Sequence, residues 1–78
     1  MIEYYAVKES LYREEIGAYT AYGIGVFEYD GDEKKTLQYI PDVFLDEDKA
    51  EQLVDMCNRL QLEPVHLLNV VEDTVSEL

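Results

Sequence analysis

The apolar residues of this chain change period once, near Asp46, and that change limits the fold more than any other feature. Before it they alternate, as in half-buried strands. After it they recur every three or four residues, as on one side of a helix. Strands followed by helices, without interleaving, point to an α+β fold with helices segregated to one face of an antiparallel sheet.

Residues 2–8 alternate, with Ile2, Tyr4 and Ala6 on one side and Tyr5 and Val7 nearer the other. Residues 9–16 are mostly polar or charged and read as a connection. Residues 17–29 form the longest alternating run. One face holds Ala18, Thr20, Tyr22, Ile24 and Val26, and the other Tyr19, Ala21, Gly23, Gly25 and Phe27. Asp30-Gly31-Asp32 is a hairpin turn signal. Residues 36–40 alternate again, with Thr36, Gln38 and Ile40 opposite Leu37 and Tyr39. Pro41 should end that strand, because it has no N–H to give to a ladder.

The spacing predicts helices over 46–61 and 64–76. In the first, Ala50, Leu53, Val54, Cys57 and Leu60 share a stripe. Asp46 or Asp48 can cap its start, and Asp48 with Glu51 has capping-box spacing. In the second, Pro64 suits the first turn, and Leu62 with Leu67 has the spacing of a hydrophobic staple. Leu67, Leu68, Val71, Val75 and Leu78 form its inner stripe, flanked by Val65 and Val70. His66, Asn69, Asp73 and Glu77 lie opposite. The expected architecture is a single domain, residues 1–78: a three-stranded antiparallel β-meander followed by two C-terminal helices packed on one face.

Charge bounds the partners. The chain has 18 Asp and Glu against 6 Lys and Arg, a formal charge of −12, yet 47% of its residues are hydrophobic. An acidic disordered tail would lack that apolar content. Residues 40–78 hold 10 of the acids and 2 of the bases. Nucleic-acid binding needs a basic stripe to neutralise phosphates. The only adjacent bases, Lys34 and Lys35, follow three acids, so direct binding to nucleic acid or to an anionic membrane is disfavoured. No run approaches the roughly 20 apolar residues of a membrane span. The N-terminus lacks the basic start and apolar stretch of a signal peptide. A cytoplasmic location is expected, and the lone Cys57 suits a reducing compartment.

Motifs for chemistry are sparse. Gly23-Ile24-Gly25 lacks the third glycine of a nucleotide loop and lies inside a strand; close approach by a helix or a cross-strand tyrosine, or a bulge, explains it better. Asp30-Gly31-Asp32-Glu33 and Asp46-Glu47-Asp48 lack the spacing of a calcium loop and read as a turn and a helix cap. His66, Asn69 and Asp73 could share a surface strip, but no nucleophile is predictably beside them. Cys57 falls on a buried stripe. The tyrosines, Tyr19 and Tyr39 among them, would be half exposed on the sheet face away from the helices, a position that suits interfaces as well as ordinary strand filling. No catalytic, cofactor or metal set is assigned.

Tyr19-Thr20-Ala21-Tyr22-Gly23-Ile24, Ile40-Pro41-Asp42-Val43, Cys57-Asn58, Leu62-Glu63-Pro64-Val65-His66-Leu67 and Val71-Glu72-Asp73 occur in this order. The pattern resembles a small family from Gram-positive anaerobes known only as a domain of unknown function, and the resemblance runs from Tyr4 to Glu72. That family has Ser where this chain has Phe44 and Glu63; those Ser look like helix caps, so the caps here must shift or weaken. The resemblance implies a cytoplasmic bacterial protein and carries no activity or cofactor.

The expected function is a non-enzymatic protein-interaction or regulatory module. It would meet a basic protein partner through the anionic helical half or the tyrosine-bearing sheet face, with Tyr19, Tyr39, Val65, His66, Asn69, Val70 and Asp73 as candidate contacts. One alternative is a small metal-dependent or hydrolytic enzyme using His66, Asp73 and Cys57. Another is an acidic nucleic-acid mimic that occupies a basic protein groove. Monomer and weak homodimer are both compatible with edge strands.

Overall fold

The computed structural model describes residues 1–76. Three strands, β1 (Ile2–Arg13), β2 (Gly17–Asp30) and β3 (Glu33–Phe44), precede helix α1 (Glu47–Leu60), a 3-10 turn (Pro64–His66) and helix α2 (Leu67–Ser76). The strands form one antiparallel sheet in the order β1-β2-β3, so β2 is central and the others are edges. Both helices cover one face: α1 lies across all three strands and α2 against β3.

The hairpin turns need left-handed backbone, and glycine supplies it. Gly17 (φ 80) follows the turn in which the Ile16 N–H donates to the Arg13 carbonyl. Gly31 (φ 66) is the first residue of the two-residue connection between β2 and β3, the position that a II′ turn reserves for glycine.

β1 and β3 are longer than the sequence reading, and β3 begins at Glu33 rather than at residue 36. β1 continues to Arg13, so the connection expected over 9–16 shrinks to its last few residues. The β1–β2 register is unbroken from Ile2↔Glu28 to Arg13↔Gly17. The outer part of this hairpin is solvated, so its backbone pairs without the alternation that marks a half-buried strand. β3 likewise does not stop at Pro41 but reaches Phe44. Its register shifts between Tyr22 and Ile24, and Asp42 takes a left-handed φ of 55. An irregularity on an edge strand is where proline is tolerated. It lets Phe44 pair with Tyr22 and enter the core.

The core lies between Tyr4, Ile24, Val26 and Phe44 of the sheet and Ala50, Leu53, Val54, Cys57, Leu67 and Val71 of the helices. Asp46 caps α1, accepting a bond from the Asp48 N–H at 2.8 Å; it is Asp46, and not the Asp48–Glu51 box, that holds this end. Tyr22 adds a bond to Glu47 at 3.1 Å. At the other end Gln61 is left-handed (φ 52). Its N–H donates to the Asn58 carbonyl, and the Leu62 N–H donates to the Cys57 carbonyl at 3.0 Å. This is a Schellman closure made without glycine. It folds Leu62 back against the core.

The helical stripes are narrower than the sequence suggested. Leu60 ends α1 at 65% exposure. In α2 only Leu67 and Val71 are buried, while Leu68 and Val75 are 47% and 41% exposed. Leu78 and Glu77, assigned to the two sides of this helix, lie outside the described residues. The second helix also starts late, at Leu67. Pro64 opens the 3-10 turn instead, with the His66 N–H bonded to the Glu63 carbonyl.

Candidate functional site

An apolar groove of about 410 Å³ runs between β3 and α2. Ile40, Pro41 and Val43 form one wall, and Leu68, Val71 and Val75 the other, with Glu72 on the rim. The β3 irregularity and the width of the α2 stripe create it together. α2 carries more apolar residues than β3 covers. Asp42 also borders this groove, but its carboxylate is engaged elsewhere.

That engagement ties the three strands together. Asp42 Oδ2 accepts from Arg13 Nη2 and from the Tyr19 hydroxyl, both at 2.9 Å, and the Arg13 guanidinium lies 5.8 Å from the Tyr19 ring centre. Desolvation, then the bond to Asp42, pushes the Tyr19 phenol above its ordinary range. Tyr19 thus has a structural task at the β3 bulge.

Tyr39 has one too. On the face away from the helices, a Cβ at Gly23 would overlap the Tyr39 ring, and a Cβ at Gly25 would overlap the Tyr5 ring. The glycine pair therefore admits cross-strand tyrosines, one of the readings its place in a strand left open, and the register shift between Tyr22 and Ile24 falls at Gly23 as well. Tyr5 and Tyr29 each lie 5.0 Å from the Phe27 ring, and Lys34 Nζ sits 3.9 Å over Phe27. These side chains cover the sheet themselves, leaving Phe27 only 3% exposed and Tyr39 37% exposed. Gly25→Ala should push Tyr5 off Phe27 and cost about 1 kcal/mol, a typical worth for an aromatic pair. Gly23→Ala should cost less, because the exposed Tyr39 can swing outward. Urea titrations of both variants check that order.

The remaining candidate contacts lie on the other side of the molecule. Val65 is 76% exposed, and His66, Asn69 and Asp73 are exposed along the 3-10 turn and α2, while Val70 packs partly against the core. The seven residues proposed as contacts therefore fall on two opposite surfaces. His66 and Asp73 are not joined by Cys57, which is 1% exposed and whose thiol burial pushes upward in pKa. Among the described residues, no three His, Cys, Asp or Glu side chains are placed to hold a metal ion. No described helix is long and apolar enough to cross a membrane.

Sequence reasoning missed Asn58. From α1 its side-chain amide meets the β1 edge. Oδ1 accepts the Tyr4 N–H at 2.7 Å and Nδ2 donates to the Tyr4 carbonyl at 3.0 Å. One side chain thus makes the two bonds that a neighbouring strand would make. A polar residue beside a buried stripe is an ordinary helix surface in sequence, so spacing held no signal for this contact. Asn58→Ala should cost about 1–2 kcal/mol, since both Tyr4 groups lose a partner at a site water reaches in part. Asn58→Asp should cost at least as much, because it removes the donor and faces a carboxylate to the Tyr4 carbonyl. Denaturant midpoints test both.

Comparison with curated proteins and with solved structures finds no match. A family model does match: a family of unknown function, DUF6514, over residues 1–77. With nearly its whole length matched, the chain belongs to the DUF6514 family.

Proposed function

We propose that this protein is a non-enzymatic interaction or regulatory module that docks a basic protein segment along α2. Apolar residues of the partner enter the groove beside β3, and its cations meet Glu72 and Asp73. The supporting observation is that Leu68 and Val75 stay 47% and 41% exposed in a groove rimmed by Glu72. They lie in the half of the chain that holds 10 of the 18 acids. Large half-exposed apolar side chains beside charge mark interaction surfaces more than they mark stability. Val65, His66 and Asn69 extend the surface past the groove, and Tyr19 and Tyr39 on the opposite face are then structural.

The test is quantitative capture of a partner by immobilised protein at low and high salt, repeated with Leu68→Glu and Glu72→Lys. The partner should release as salt rises, and each variant should weaken retention about tenfold, as for a central anchor and a complementary charge. Retention that ignores both variants removes this surface. Release by competing duplex DNA would instead favour the nucleic-acid mimic.

A further inference from the structure

From the backbone of β1 we infer that its edge between Ala6 and Tyr12 pairs antiparallel with the same edge of a second copy of this chain, joining two sheets into one. The inference is independent of the α2 groove.

Asn58 defines the geometry. Its bonds to the Tyr4 N–H and carbonyl show that both groups point away from β2. The β1–β2 register has no break before Arg13, so the alternation of an antiparallel ladder turns the backbone groups of Ala6, Lys8, Ser10 and Tyr12 the same way. Among the described residues none of these groups has a hydrogen-bond partner. Lys8, Ser10 and Tyr12 are exposed. At Tyr4 the edge is closed by α1; from Ala6 onward it is open for about the length of an average strand. The β3 edge differs, because Pro41, the left-handed Asp42 and two register shifts roughen it. Natural edges are blunted by such devices; beyond Tyr4, β1 has no proline, register shift or covering element, and its only such device is the charge of Lys8, Glu9 and Arg13.

Charge along this edge is self-complementary, which fits a second copy as the occupant. Two chains of −12 repel over most of their surfaces. The β1 edge is an exception, since it mixes Lys8 and Arg13 with Glu9 and, just past the strand, Glu14. Same-face pairing about a two-fold axis sets the partners. An axis at Lys8 or Glu9 opposes that residue to its own copy, which like charge disfavours. An axis at Leu11 sets Glu9 beside Arg13 of the other chain, whose Nη2 also holds Asp42, and Leu11 against Leu11. An axis at Ser10 also opposes no like charges. Both allowed registers use the Ser10 N–H.

Ser10→Pro is therefore the decisive substitution. It removes an outward donor and leaves the β2 ladder intact. Sedimentation across micromolar to millimolar protein should show the wild type passing to twice the monomer mass. Ser10→Pro should weaken that association at least tenfold while keeping the native circular dichroism. Hydrogen exchange of the wild type should show protection at Lys8, Ser10 and Tyr12 that rises with concentration; if Ser10→Pro fails to fold, that measurement decides alone. A wild type that stays monomeric at millimolar concentration, with those amides unprotected, overturns the inference and leaves the edge to a foreign strand. A dimer that survives Ser10→Pro but is lost in Tyr39→Glu overturns it too, placing the contact on the aromatic face.

Discussion

Leu67→Ala is expected to remove about 3–4 kcal/mol of stability, in the range for a fully buried leucine whose cavity cannot collapse. Leu67 is 0% exposed and touches the core where α2 begins. Only Leu67 and Val71 of α2 are buried, so the substitution takes one of two anchors from a 10-residue helix. A helix that short has little stability of its own in water. The amides of α2 should therefore lose exchange protection before those of the sheet. For a domain of this size the whole stability is roughly 4–12 kcal/mol. A loss of that order should lower Tm by roughly 15–25 °C. Leu68→Ala, one residue along and 47% exposed, should cost less than about 1 kcal/mol. Equal costs at 67 and 68, read from urea titrations, would mean that Leu67 is not the buried anchor of α2.

High pH should destabilise the protein through Tyr4. This ring is 2% exposed, and its hydroxyl donates to the Leu62 carbonyl. Burial first, then the negative charge that Cys57 and Glu63 can carry nearby, pushes the phenol from 10.0 up to about 12. The folded chain keeps this proton to higher pH than the unfolded chain does. The contribution is fully present below pH 10 and is lost as pH rises toward 12. Each pH unit separating the folded from the unfolded pKa is worth about 1.4 kcal/mol, so the loss approaches roughly 2–3 kcal/mol. Tyr19 and Tyr22 are also raised, so the wild type alone does not isolate the effect. The difference between wild type and Tyr4→Phe does. Phe lacks the hydroxyl, so the variant starts less stable by one hydrogen bond, and its deficit should shrink and then reverse across this window. A constant difference would mean that Tyr4 ionises alike in both states.

The Schellman turn connects these two results. By reversing the chain at Gln61 it brings the Leu62 carbonyl to the Tyr4 hydroxyl and sets the direction in which the 3-10 turn and α2 leave. Asn58, in the last turn of α1, holds the same strand from its backbone side. Tyr4 is thus gripped by side chain and main chain together, and both grips come from the end of one helix.

Local patterning determined the class of this fold. Alternation before Asp46 and helical spacing after it reflect side chains that must face a core, and Ile24, Val26, Ala50, Leu53, Val54 and Cys57 are buried where those periods place them. The Gly31 turn was legible because it depends on a conformational property of the residue itself; at Gly23 and Gly25 a close approach was legible, but not that tyrosines make it. What the tertiary structure alone decided concerns partners far apart in the chain. β1 extends through polar residues because β2 offers a ladder, and β3 passes Pro41 because it is an edge. Asn58 meets Tyr4 and Asp42 meets Arg13 and Tyr19 across 54, 29 and 23 residues. The groove exists because α2 buries Leu67 and Val71 but leaves Leu68 and Val75 half exposed beside β3. Periodicity shows which residues want burial. How much of a stripe is covered depends on the width and position of the opposing surface, and no short-range spacing encodes that.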